Sequence, residues 1–312
     1  MARVLITGAS GLLGIHLALR AAGKHIVTGV VNQRGLPGAP FRVVAADLSQ
    51  PDAVSRLLDE TRPNLIFHCA ALTHLDAVEA EPERAEWLNA GLPGLLAAEC
   101  APRGVRLLHI STDAVFDGTR PYHPGDGYTE MDPPHPLSVY ARTKLAGEQA
   151  VLAANPQAVV ARVNFYGWSL TGRRSLGEFF YNNLSARQHI NGFTDVMFCP
   201  LLVTDLADIL LEMAQGDLSG VYHTVSSEAV SKYEFGCRLA RQFGLDDRLI
   251  TPIRVSESGL KAARSPNLAL STSRLATALG RSLPDIDAGL SRFAQEYRSG
   301  LPDRLQKICQ SS

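Results

Sequence analysis

Val4-Leu5-Ile6-Thr7-Gly8-Ala9-Ser10-Gly11-Leu12-Leu13-Gly14 is the stretch whose reading decides the fold. A short apolar run meets three glycines spaced Gly-x-x-Gly-x-x-Gly, and a helical pattern continues over 12–22. The apolar run reads as a buried strand, and the glycines as a turn that opens a helix. Glycines there permit a tight turn, close approach of backbone to a pyrophosphate, and close packing of helix on strand. Free amides and positive potential at the helix N-terminus suit the same anion. Gly8, Ser10, Gly11, Leu12, Leu13 and Gly14 are therefore candidate dinucleotide-binding residues.

Outward from this turn, strand-like runs fall at 4–7, 26–31, 42–45, 65–69, 105–110 and 158–163. Helical stretches at 12–22, 52–61, 83–101 and 139–154 lie between them. Several of the strands are unbroken apolar runs, as expected when helices cover both faces of a parallel sheet. The pattern predicts an α/β fold with a doubly wound, Rossmann-type parallel sheet. After residue 163 the alternation loosens. An aromatic, glycine-containing segment spans 165–174, and helices are expected at 176–187, 203–213, 232–243, 273–279 and 286–297, with a strand at 221–225. Asp205 and Asp208 are read on the polar side of the second of these helices. The expected organisation is a dinucleotide-binding domain over 1–163, with 201–225 returning to it, and a smaller, mostly helical substrate lobe from 164–200 and 226–312.

Composition narrows the function classes. A chain of 312 residues with 46% hydrophobic content can bury a sizeable core. Its formal net charge is −1, with acidic and basic residues mixed, so nucleic acid is not an expected partner. No apolar run approaches the roughly 20 residues of a membrane span, and the expected compartment is the cytoplasm. Cys69, Cys100, Cys199, Cys237 and Cys309 are odd in number and scattered, which points to buried, reduced thiols. His68, His74 and His109 lack ligand spacing, and no metal is expected. The proline-rich segment 121–136 is too long for a tight turn, so it is either a lid facing substrate or an exposed loop.

The end of the second strand bears on cofactor choice. An acidic residue there would accept the ribose 2′-hydroxyl of NAD, whereas a nearby arginine accommodates the 2′-phosphate of NADP. This chain has Val31-Asn32-Gln33-Arg34 and no carboxylate. NADPH is the expected cofactor, with NADH the alternative; Asn32 and Arg34 would meet the phosphate. Asp47 and Leu48 would sit near the adenine.

Ser138-Val139-Tyr140-Ala141-Arg142-Thr143-Lys144 supplies the candidate chemistry. Residues four apart share a helix face, so Tyr140 and Lys144 would stand side by side. An unperturbed phenol titrates near 10, and a neighbouring ammonium favours the phenolate. Lys144 is thus expected to make Tyr140 a usable proton donor and acceptor. Thr112, at the end of a buried strand, could hydrogen-bond the same substrate oxygen. Thr112, Tyr140 and Lys144 form the candidate catalytic trio.

The glycine turn, Ser111-Thr112 and Tyr140-x-x-x-Lys144 resemble the extended short-chain dehydrogenase/reductase superfamily. The stretch from His68-Cys69-Ala70-Ala71 through Asp76, Glu79 and Glu81-Pro82-Glu83 to Asn89-Ala90 narrows the likeness. So do Ser111-Thr112-Asp113-Ala114-Val115-Phe116-Asp117-Gly118, Tyr140 to Glu148, and Arg264-x-Pro266-Asn267-x-x-Leu270. These look like the dTDP-4-dehydrorhamnose reductase family, over nearly the whole chain. The resemblance implies reduction of a nucleotide-activated 4-keto-6-deoxysugar by hydride from NADPH, as in dTDP-rhamnose biosynthesis. It implies that Tyr140 protonates the alkoxide, that Lys144 lowers the tyrosine pKa and holds the nicotinamide ribose, and that Thr112 polarises the carbonyl. Cys69, Ala70 and Ala71 would line the cofactor groove, and Asn89 would brace the neighbouring helix.

Substrate-binding candidates are Thr112, Val115, Phe116, Tyr140, Asn164, Phe193 and Arg264, with Arg187 a further candidate for diphosphate or base. Departures fall in the second half of the chain. Ala114 stands where the family often has an aromatic residue, and Asn164-Phe165-Tyr166-Gly167 is closer to the general extended-superfamily pattern. Two other readings stay open. One is a nucleotide-sugar epimerase or dehydratase with retained NAD. The other is a non-catalytic, cofactor-binding regulatory subunit, because the beta subunit of methionine adenosyltransferase is similar in the glycine turn and the Tyr-x-x-x-Lys region. Dimers are common among such folds, so a homodimer is compatible with these readings, although no self-complementary surface is legible.

Overall fold

The computed structural model describes residues 1–258 and 265–310. Its first half builds strands β1 (Arg3–Thr7), β2 (Ile26–Val31), β3 (Arg42–Ala45), β4 (Leu65–His68), β5 (Arg106–Thr112) and β6 (Val159–Val163). Short strands β7 (Phe165–Tyr166), β8 (Ile190–Phe193), β9 (Met197–Phe198) and β10 (Leu201–Leu202) precede β11 (Gly220–Thr224). A seven-stranded sheet runs in the order β11-β6-β5-β4-β1-β2-β3, and all its pairings are parallel. The chain winds outward from β1 to β3, then returns to the other side of β1 as β4. That reversal opens a crevice at the C-terminal ends of β1 and β4, where open α/β sheets bind ligands.

Helices cover both faces, which is why the strands are apolar on both sides. On one face α1 (Leu12–Ala22) packs with α8 (Val203–Gln215), burying Leu13, Leu17, Leu206 and Leu210 against Val4 and Ile6. On the other lie α2 (Pro51–Thr61), α5 (Leu92–Cys100) and α6 (Val139–Ala154), with Leu57, Leu96 and Val151 against Leu5, Ile66 and Val160. Short α3 (Leu75–Ala80) and α4 (Pro82–Glu86) follow β4.

The single helix expected over 83–101 is interrupted. Between α4 and α5, Trp87–Gly91 forms a π-helical turn. Pro93 has no N–H to donate to the Asn89 carbonyl one turn earlier, and its ring would crowd that oxygen. The wider turn relieves the conflict and aims Asn89 inward.

The second half adds α7 (Leu176–Ser185), α9 (Lys232–Phe243), α10 (Ser273–Leu279), α11 (Ile286–Arg298) and α12 (Leu301–Ile308). Small sheets β10-β7, β13-β8 and β12-β9-β14 complete it, with β12 (Val230–Ser231), β13 (Ile250–Ile253) and β14 (Asn267–Leu268). Its core is aromatic: Trp168 stacks on Phe293 at 4.1 Å, and Tyr166 meets Phe235 edge-on at 4.9 Å. Asp205 departs from expectation. It is buried, because α11 crosses it and Arg292 reaches its carboxylate, while Asp208 stays exposed and pairs with Arg20 at 3.3 Å.

The proline-rich segment is tethered at its middle. The Tyr128 amide donates to Ala269 O (2.8 Å), its carbonyl accepts from the Ser271 amide (2.8 Å), and Phe116 stacks on its ring at 4.3 Å. Glu130 accepts from the His223 amide on β11 (2.9 Å). Among the described residues, no helix is long and apolar enough to cross a membrane.

Candidate functional site

The glycine turn sits at the crevice. Gly8 has φ 68°, and a Cβ there would stand 2.8 Å from Ala70 N; one on Gly14 would stand 2.2 Å from Gly8 O. Side chains are thus excluded at both positions, and the turn lies directly against the segment that leaves β4. Ser10, Gly11 and Leu12 are half-buried at the start of α1. The Leu13 side chain is in the core, leaving only its backbone for a ligand. Cys69, Ala70 and Ala71 are half-buried beside Gly8.

Asn32 and Arg34 are exposed beyond β2. Asp47 is exposed too; it accepts from the Ser49 amide (3.0 Å), which holds its carboxyl below the usual range. Leu48 does not face the groove: its side chain is buried with Val30 and Val54, and its carbonyl accepts from Trp87 Nε1 (3.1 Å). Asn89 is fully buried. Its amide accepts from Leu72 N (2.8 Å) and donates to Leu72 O and Thr143 Oγ1 (both 3.0 Å), tying the post-β4 loop to α6 one residue before Lys144.

Thr112 and Tyr140 meet at the C-terminal end of β5. Thr112 Oγ1 accepts from the Ala114 amide (3.2 Å), capping a 3-10 turn over Asp113–Val115, and donates to Asp113 Oδ1 (3.2 Å), with the Tyr140 phenol beside it. Tyr140 lies in the first turn of α6, which Ser138 caps by accepting from the Ala141 amide (3.1 Å). Burial pushes its phenol up to about 12, against the Thr112 hydrogen bond.

Lys144 is buried one turn on. Its Nζ donates to Ile110 O (2.6 Å) and lies 3.3 Å from His109 Nε2. Burial lowers it to about 8, opposed by Glu148. In this arrangement the ammonium is turned to Ile110 O and His109, and burial is the chief influence on the phenol.

Asp113 adds a site residue beyond the expected trio. It is buried, accepts from Asn164 Nδ2 (2.6 Å) and from Thr112, and burial pushes it up to about 6. It thereby links the ends of β5 and β6. Its signal was a carboxylate directly after a strand-end threonine. A second addition lies beneath the trio, where Arg162 of β6 forks onto Glu148 of α6 with contacts from 2.7 to 3.2 Å and Ser111 donates to the same carboxylate. An arginine inside an apolar strand was the available sign.

Other expected contacts are not assembled. Val115 and Phe116 are buried with Cys199, Val225 and Leu270, so their side chains do not line a cleft. Phe193 is half-buried with Lys232 Nζ 5.9 Å from its ring centroid. Arg187 is exposed in a left-handed conformation. Arg264 lies outside the described residues. Among the described residues, no group of three or more His, Cys, Asp or Glu is placed to hold a metal ion.

Comparison with known proteins adds an independent finding. The family model described as RmlD substrate binding domain matches residues 2–299. The chain is 35% identical to the dTDP-4-dehydrorhamnose reductase of Mycobacterium tuberculosis, over 88% of this chain and 87% of that protein. It is also 35% identical to methionine adenosyltransferase 2 subunit beta of Rattus norvegicus, over 90% of this chain and 84% of that one. In structure it is similar to the dTDP-4-dehydrorhamnose reductase of Bacillus anthracis, solved in complex with NADP, with TM-score 0.82, 27% identity, and 95% and 99% of the two chains covered. A turn shaped for a dinucleotide, a threonine and tyrosine joined at a strand end, and a match over nearly the full length agree: the chain belongs to the RmlD substrate binding domain family.

Proposed function

We propose that this protein is an NADPH-dependent reductase of a nucleotide-activated 4-keto-6-deoxysugar. The observation that carries the reading is the joining of Thr112 and Tyr140 at the mouth of the crevice, with Lys144 one turn behind. NADPH fits the residues present: the turn excludes side chains at Gly8 and Gly14, and the end of β2 offers Asn32 and Arg34 with no carboxylate. When bound, the cofactor supplies a hydride to the keto carbon.

The chain's own residues manage the proton. With its phenol near 12, Tyr140 carries a proton at neutral pH and acts as a donor to a developing alkoxide. Thr112 Oγ1 stands beside the phenol and polarises the carbonyl when its one proton turns from Asp113 Oδ1 to the substrate oxygen. Asn164 and Asp113 set the far wall of the site at the β6 end. Segments 164–200 and 226–312 form the substrate lobe in this reading, and the sugar is selected there.

Mixing the protein with NADPH and a dTDP-4-keto-6-deoxysugar is expected to consume absorbance of the reduced nicotinamide. Absence of turnover with any 4-keto nucleotide sugar would remove the reading. A second reading, a cofactor-binding regulatory subunit, is favoured by the similarity to the rat protein. Stoichiometric copurification of a partner enzyme without reductase activity would select it.

A further inference from the structure

Behind Lys144 runs a column of polar side chains that proton donation at Tyr140 does not by itself require. Thr7, His68 and His109 stand opposite one another on β1, β4 and β5, so they project from one face of the sheet. Thr7 Oγ1 accepts from the Ala70 amide (3.2 Å) and lies 2.7 Å from His68 Nδ1. The His68 and His109 rings stack at 5.3 Å, tilted by 24°. His109 Nε2 then meets Lys144 Nζ at 3.3 Å. The column thus runs from the glycine turn to the site lysine.

Packing alone does not account for two imidazoles here. Both are buried, and neither His68 Nε2 nor His109 Nδ1 finds a hydrogen-bond partner. Orphaned buried polar atoms carry a desolvation cost that apolar side chains of similar shape would avoid. On His109, the nitrogen that does find a partner is the one facing Lys144. An ammonium has only donors, so Ile110 O and His109 Nε2 must both accept from it. A neutral imidazole accepts at Nε2 when its proton is on Nδ1, and burial keeps both rings neutral.

We propose that His109 is the positioning residue of Lys144: its neutral ring, stacked on His68 and tied through Thr7 to the glycine turn, anchors the lysine ammonium in its charged form. The inference rests on reading Lys144 as the site lysine. The titratable groups around Lys144 are His109 from β5, His68 and Cys69 from β4 and its end, and Tyr140 and Glu148 on α6 itself, with Arg162 of β6 bound to Glu148. Cys69 is held neutral by burial, its thiol pushed up to about 12. Removing the His109 acceptor leaves the ammonium equally desolvated with one hydrogen bond fewer, so it should lose its proton at lower pH.

The test reads the lysine directly. The chain has five lysines, so 13Cε-lysine NMR titration is tractable, and Lys144→Met assigns the resonance. His109→Phe is expected to lower the Lys144 midpoint by about one pH unit, the scale of a charged hydrogen bond. His109→Gln, whose amide oxygen reaches the Nε2 position, is expected to restore it. Should His109→Phe fail to fold, His109→Asn keeps polarity but is too short to reach Nζ, and the same lowering is expected. An unchanged midpoint in the folded Phe or Asn variant overturns the proposal, as does a Gln variant lowered as far as Phe. Because no sugar is present, failure of the reductase reading appears separately, as absent NADPH consumption with the His109 dependence intact.

Discussion

Tyr140 and Lys144 carry opposite consequences of burial. The phenol is pushed up to about 12 and the ammonium down to about 8, so the group that titrates near physiological pH is the lysine. If turnover needs the ammonium, kcat should fall as pH rises, with a midpoint near 8. A rate that stays flat until pH 10 would show that Lys144 charge is dispensable. Asp113 gives a stability test of the same kind. Its folded pKa, about 6, lies above the ordinary carboxyl value of 3.8, so the folded state holds the proton longer and stability is lost as pH rises between those values. Two units at about 1.4 kcal/mol each correspond to about 3 kcal/mol at most. Asp113→Asn should therefore raise the unfolding free energy at pH 7.5 by about 1–3 kcal/mol, with the gain gone near pH 4. A loss of stability at pH 7.5 would show that the carboxylate is needed for the Asn164 contact.

At the scale of elements, α6 is the plate on which the site is mounted. It presses so closely on the π-helical turn that a Cβ on Gly147 would stand 2.1 Å from Asn89 O. Gly147→Ala should cost about 1–3 kcal/mol through overpacking. Because Asn89 also holds Thr143, the same change should weaken NADPH binding, read by cofactor fluorescence. Wild-type stability and affinity in that variant would mean that the turn yields freely. This contact also shows what sequence could not supply. Tyr140 and Lys144 were legible because helical spacing alone brings residues four apart together. The π turn was not, since a proline in an otherwise good helical pattern is accommodated by a break, a kink or a wider turn, and spacing does not say which. Likewise, spacing put Lys144 beside Tyr140 but could not say that a strand-end carbonyl and His109 would claim its ammonium.

For the molecule as a whole, the doubly wound sheet was legible because unbroken apolar runs alternate with amphipathic stretches, and the glycine turn marks the first crossing. Burial of Asp205 and of the Val115 and Phe116 side chains was not, because it depends on α11 and on the Leu270 region arriving from more than 80 residues away. Folding also buries several imidazoles. His16 is lowered to about 4, His68 and His223 to about 3, and His109 well below its ordinary value, all chiefly by burial. Their folded pKa values lie below the unfolded one, so the unfolded chain binds more protons and stability is lost as pH falls from about 6.5 towards 4. Asp113 and Asp205, raised to about 6, and Glu296, raised to about 7, act in the opposite sense but are fewer. The melting temperature should therefore drop between pH 6.5 and 4; a rise over that range would show that the buried acids dominate.

The most direct measurement follows the hydride itself. NADPH carrying deuterium at the transferable C4 position, mixed with a dTDP-4-keto-6-deoxysugar and the protein, should yield a reduced sugar with one deuterium on the former keto carbon by mass spectrometry. The Tyr140→Phe variant should form little of it. Sugar recovered unreduced with the wild-type protein, or equal deuteration by the Phe variant, would contradict hydride transfer to a carbonyl protonated by Tyr140.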